Sequence, residues 1–163
     1  MKKLLNFLAI LGLMVMIFSG FTSSASAAGA LKTSTFITTV KYGNGYYIDN
    51  DYDAALVGYA ALNTKTYFNA NQYGIAVTGI TQSADYAWPY SVAKNGTKVF
   101  IKASHGSSET ANAYGNFTVK YMKVPKLGSS ITSTDYRLQT YITVTKIDKT
   151  KQAVTIKVTR QVF

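Results

Sequence analysis

From Tyr136 to Phe163 apolar and polar residues alternate with a period of two. Leu138, Ile142, Val144, Val154, Ile156 and Val158 fall on one side. Gln139, Thr143, Thr145, Thr155, Lys157 and Thr159 fall on the other. That period belongs to a β-strand, whose successive side chains point to opposite faces. The polar stretch Asp148 to Gln152 interrupts it, so the segment reads as a long hairpin with one apolar face. A half-buried hairpin of a soluble sandwich gives this pattern. So does a membrane-inserting hairpin, whose arms need about 10 residues. The soluble reading is preferred, and the apolar face is expected to build the core.

The same alternation recurs upstream. Phe36, Thr38, Val40 and Tyr42 share a face ahead of Gly43-Asn44-Gly45, and short strands are expected at Tyr46 to Ile48, Thr64 to Phe68, Ile75 to Ile80 and Asn116 to Val124. Asn95-Gly96, between Tyr90 to Lys94 and Thr97 to Ala103, predicts a type I′ hairpin turn with both residues at positive φ. Asp49 to Asp53 predicts a loop, because Asp and Asn favour turns and adjacent acids repel in a ladder. Thirteen tyrosines beside only two prolines suit strands rather than a disordered tail. The reading is all-β: an antiparallel β-sandwich, or partly open barrel, of about eight strands. Neither an internal repeat nor a Pro/Ser linker divides it, so residues 28–163 form one domain.

Residues 1–27 read as a signal peptide, expected to be a helix that is cleaved off. Lys2-Lys3 precede an apolar stretch from Leu4 to Phe18 and the small residues Ala25-Ser26-Ala27. An uncleaved anchor is disfavoured, because that stretch is shorter than the roughly 20 residues a bilayer requires. No cysteine at the cut offers a lipid attachment site. The leader resembles those of exported bacterial proteins, particularly of Gram-positive cells. The protein is therefore expected to be secreted, extracellular or associated with the cell surface. With 17 Lys+Arg against 7 Asp+Glu the chain carries a net +10, and loss of Lys2 and Lys3 leaves 15 against 7, or +8.

The absence of cysteine excludes disulfides, thiolate metal sites and cysteine nucleophiles; a single His105 excludes a multi-His site. Asp49, Asp51 and Asp53 have calcium-loop spacing, but Ala54 and Ala60 stand where an EF-hand needs Gly and an acid. A looser calcium loop stays open beside the preferred reading of a solvated acidic turn. Ser104-His105-Gly106-Ser107-Ser108-Glu109 offers hydroxyl, imidazole and carboxylate. Neighbours in sequence rarely reach triad geometry, and no nucleophile elbow is present. Lys41 to Tyr46 echoes the Tyr-Gly-Asn-Gly box of pediocin-like bacteriocins, but lacks their cysteine pair and has Tyr46 where the box has Val; it reads as a Gly-rich turn. No metal, cofactor or catalytic residue is expected, and the chain reads as a non-enzyme.

What remains is binding. Tyr86, Trp88 and Tyr90 surround Pro89, and aromatics of this kind stack on sugars or line interfaces. Lys98 and Lys102 flank Phe100, with all three on one face by period two; Lys120 and Lys123 flank Tyr121 and Met122. A basic, aromatic face attracts polyanions. These seven residues are the expected ligand-binding set. The expected partner is an anionic cell-envelope polymer or polysaccharide rather than nucleic acid. The alternative is an antimicrobial or membrane-active protein acting on an anionic membrane surface.

Overall fold

The computed structural model describes residues 32–55, 58–123 and 130–163, so the predicted leader lies outside the described residues. Nine strands run in chain order: β1 (Lys32–Lys41), β2 (Gly43–Asp53), β3 (Ala60–Asn71), β4 (Gly74–Tyr86), β5 (Tyr90–Ile101), β6 (Ala103–Ser104), β7 (Thr110–Lys123), β8 (Ser130–Asp148) and β9 (Ala153–Val162). They make a five-stranded sheet, β1-β9-β8-β7-β5, and a four-stranded sheet, β2-β3-β4-β6. Every strand pair is antiparallel and neither sheet closes into a barrel. The fold is the all-β sandwich that the alternation predicts.

The period-two faces explain the packing. In β3, Ala60, Leu62, Thr64, Thr66, Phe68 and Ala70 are buried while the residues between them are only partly covered. In the β8–β9 hairpin, Leu138, Ile142, Val144, Val154, Ile156 and Val158 are all buried, as expected. Each large apolar side chain buried in this way contributes roughly 1.5–3 kcal/mol. The apolar face that a membrane-inserting hairpin would need is thus occupied by the sandwich's own core.

Two apolar clusters fill the interior. The larger gathers Phe68, Ile75, Val77, Ile142, Val144 and Ile156 with their neighbours. The smaller contains Ala60, Leu62, Phe117, Val119, Leu138 and Val162. A polar row runs between them. In the four-stranded sheet, Asn50, Thr64 and Gln82 lie side by side. Thr140 and Arg160 form the matching pair in the other sheet. The Asn50 Nδ2 amide donates to the carbonyls of Gln139 (3.1 Å) and Gln161 (3.4 Å), tying β2 to β8 and β9. The Thr64 and Thr140 hydroxyls are buried without a hydrogen-bond partner. The sheets come close here: a Cβ on Gly115 would lie 2.6 Å from Thr64 Cγ2, so only glycine fits.

Two local expectations are corrected. Asn95-Gly96 is not a hairpin turn; it lies inside β5, which continues on both sides of it. Lys94 pairs with Phe117 and Thr97 with Gly115, so Asn95 and Gly96 together oppose Asn116 in a bulge. Gly96 takes φ +95°, while Asn95 is not among the positive-φ residues. The glycine supplies the left-handed conformation that a bulge, like a tight turn, requires. Nor is Asp49 to Asp53 a loop, because it forms the end of β2. Alternation sends all three aspartates to the solvent face, opposite Lys65, Asn63 and Ala61, so none meets another carboxylate across this ladder.

Candidate functional site

The two outer faces of the sandwich differ in chemistry. On the five-stranded sheet, register aligns Thr33, Gln161, Gln139, Tyr114 and Lys98 in one row. Thr35, Thr159, Tyr141 and Asn112 form the next row, and Ile37, Lys157, Thr143 and Thr110 the one after. Hydroxyls meet across strands in Thr35–Thr159 (3.1 Å), Thr39–Thr155 (2.9 Å) and Thr110–Thr143 (2.8 Å). Such cross-strand pairs stabilise a sheet by a few tenths of a kcal/mol to about 1 kcal/mol each. The result is an open polar floor flanked by Tyr114 and Tyr141.

Cations border that floor. Lys41, Lys98, Lys120, Arg137, Lys146 and Lys157 all occupy outward positions. The Arg137 guanidinium sits 4.5 Å from the centre of the Tyr114 ring, and its Nε donates to Asn116 Oδ1 at 3.1 Å. Asp135 and Asp148 are the acids of this face. Asp135 accepts from the Thr118 hydroxyl at 2.5 Å and Asp148 from the Lys151 N–H at 2.9 Å.

The outer face of the four-stranded sheet has the opposite sign. Asp49, Asp51 and Asp53 of β2 and Asp85 of β4 share it with Lys65, which lies 3.8 Å from Asp49. Asn63, between the strands, donates to both Asp49 and Asp51. Tyr59 donates to Asp85 Oδ2 at 2.9 Å. That hydrogen bond, then desolvation and the charges of Asp85 and Asp53, hold the Tyr59 phenol above its ordinary pKa. Among the described residues no group of three or more metal-ligating side chains converges, so Asp49, Asp51 and Asp53 form a strand face rather than a chelating loop.

The seven expected ligand-binding residues fall in separate places. Tyr86, Trp88 and Tyr90 form a tip at one end of the sandwich, held by three backbone bonds of 3.0 Å: Ala87 N–H to the Tyr59 carbonyl, Tyr90 N–H to Ala87, and Met122 N–H to Pro89. Trp88 is 75% exposed and Tyr86 is also exposed. Tyr90 is half-buried and packs on Tyr121 with ring centres 5.0 Å apart. Lys120 pairs with Ser91 beside this tip, and Lys123 ends β7 opposite Ser130. Lys98 lies opposite Tyr114, six residues further along β7 and so about 20 Å from Lys120. The Lys98–Phe100–Lys102 row breaks at a second bulge, between Val99 and Ile101. Ile101 follows Lys98 onto the outer face, opposite Asn112, and Lys102 lies beyond the strand, its carbonyl accepting the Val77 N–H at 2.7 Å.

The serine–histidine stretch has structural partners. The buried Ser104 Oγ donates to the Glu109 carbonyl (2.8 Å) and accepts the Val144 N–H (3.0 Å). His105 Nδ1 lies 3.0 Å from the Tyr73 carbonyl. The sequence reading missed the threonine floor and its neighbours Tyr114, Arg137, Tyr141 and Lys157. The polar half of the hairpin, Thr143, Thr145, Thr155, Lys157 and Thr159, was the available signal. Only strand register shows which residues of β1 and β7 extend it.

Comparison of the chain with protein-family models, with curated proteins and with solved structures finds no match.

Proposed function

We propose that the mature protein is a secreted, non-enzymatic binding module whose partner is an anionic polymer of the cell envelope or an acidic polysaccharide. The observation that carries this reading is the segregation of charge. Outward cations gather on the five-stranded sheet and carboxylates on the four-stranded sheet. A polyanion running along β7 meets Lys98, Arg137 and Lys120, with hydroxyl and amide groups between them and one carboxylate, Asp135, which is bonded to Thr118. Charge neutralisation brings the polymer in, while the hydroxyls and the faces of Tyr114 and Tyr141 suit the polar edges and apolar faces of sugar rings. Trp88 and Tyr86 extend the surface at the tip beyond Lys120.

Sedimentation with purified cell walls over a salt series tests the reading. Counterion release makes log affinity fall with log salt, by the logic established for nucleic acids. Steep loss with salt and weakened binding by Lys98→Glu or Lys120→Glu are expected. Binding that resists salt and disappears in Trp88→Ala moves the site to the aromatic tip. No sedimentation with walls or acidic polysaccharide at low salt refutes the proposal.

A further inference from the structure

The sandwich has edges as well as faces, and they are not equally protected. A free strand edge presents unpaired backbone groups and invites another strand, so stable folds interrupt their edges with bulges, charges or brevity. β5 carries bulges between Lys94 and Thr97 and between Val99 and Ile101, with Lys94 and Lys98 along it. β2 carries an irregularity between Gly43 and Tyr46 and then Asp49, Asp51 and Asp53. The four-stranded sheet ends on β6, which is two residues long.

β1 is neither bulged nor short, and its middle carries no charge. It pairs with β9 without a register shift from Lys32↔Val162 to Lys41↔Ala153, and no strand among the described residues pairs its other edge. Its only charges are the lysines at its two ends, and Ser34 to Val40 contains neither proline nor charge. Ile37 is 67% exposed and Phe36 36% exposed. The Tyr42 N–H bonds to the Gln152 carbonyl on the β9 side. By alternation the N–H and C=O of Thr33, Thr35, Ile37, Thr39 and Lys41 point off the free edge.

We infer that β1 is a self-association edge, and that a second copy of this chain is its occupant. Antiparallel pairing about a two-fold axis at Ile37 sets Ile37 against Ile37 of the partner subunit. It sets Thr35 against a threonine, and keeps each Lys41 opposite a threonine rather than another lysine. Every outward-pointing group then finds a partner, and the two five-stranded sheets become one continuous sheet. The uncharged middle of β1 offers a foreign acidic or basic segment no ion pair, whereas a second β1 matches it in length and polarity. The bulged β5 edge does not accept β1, so the contact closes as an isologous dimer instead of propagating.

Sedimentation equilibrium of the secreted chain over a concentration range tests this. The mass should rise from one chain to two, more readily at high salt, because the two positively charged copies repel. Ile37→Pro leaves the β9 side of the ladder intact, since its N–H points outward, and should weaken dimerisation tenfold or more. Ile37→Lys should do the same, and circular dichroism confirms that each variant folds. The natural chain has no cysteine, so Ile37→Cys under mild oxidation should give a disulfide-linked dimer, within the Cα separation such a bond needs. Thr35→Cys faces Thr39 of the partner subunit and should not cross-link, nor should Ser91→Cys on β5. A mass that stays at one chain throughout, or equal cross-linking of all three cysteine variants, overturns the inference.

Discussion

The two outer faces share one backbone geometry and differ in what their side chains do for one another. On the five-stranded sheet threonines bond in pairs across strands and cations stand among them. On the four-stranded sheet the carboxylates of β2 and β4 are held by Asn63, Lys65 and Tyr59. A net charge of +10 conceals this division, since four of the seven acids (Asp49, Asp51, Asp53 and Asp85) share a single face. The proposed attraction to a polyanion is therefore assigned to one side of the molecule, and total charge is a poor guide to it.

The most disruptive change removes what holds the two faces apart. Ile156 is fully buried between the sheets, and Ile156→Ala should destabilise by about 2–5 kcal/mol in chemical denaturation. A loss below about 0.5 kcal/mol would mean that β9 does not present its other side, with Lys157 and Thr159, to solvent as assigned. Next comes reversal of charge on each face. Lys98→Glu with Lys157→Glu should weaken wall binding at low salt about tenfold or more. Asp51→Asn with Asp53→Asn should leave it unchanged or strengthen it, and equal losses from both pairs would erase the distinction.

Inward and outward threonines provide a finer contrast. Thr64→Val removes a buried hydroxyl without a partner and should raise stability by about 1 kcal/mol. Thr159→Val breaks a bonded pair on the outer floor and should lower it by a few tenths of a kcal/mol. Thermal unfolding of both variants measures the difference in sign. The smallest effect concerns the acidic face. The folded chain binds the Tyr59 proton more tightly than the unfolded chain does. That contribution is complete below the ordinary phenol pKa, about 10, and is lost as pH rises through the folded value. In an absorbance titration Asp85→Asn should move Tyr59 back toward the ordinary value; an unchanged curve would show that the hydrogen bond does not govern it.

The all-β class and the core side of the hairpin were legible because period two assigns each residue a side without knowledge of its neighbours. The β8–β9 hairpin was legible too, but more distant strand partners were not, since β1 joins β9 across most of the chain and no local signal records that pairing. Asn95-Gly96 misled because left-handed glycine serves bulges as well as turns. The aspartates misled because across the ladder they meet Lys65, Asn63 and Ala61 rather than other carboxylates, a register that the sequence does not show. Of the expected binding residues, Tyr86 and Trp88 lie together at the tip because they are neighbours in the chain, and Lys120 lies beside them by register. The row containing Lys98 and Lys102 was lost to a bulge that sequence spacing does not show.

The polar row through the interior bears on how the molecule opens. Apolar contact transmits cooperativity, and here it is interrupted along the line of Asn50, Thr64, Thr140 and Gln82. Two cooperative units are therefore expected, with the smaller cluster around Leu62, Phe117 and Leu138 opening first. Amide hydrogens of β3 near Leu62 should exchange through partial opening, while those near Phe68 should wait for global unfolding. The Asn50 amide, bonded to carbonyls of both β8 and β9, is the latch between the two regimes.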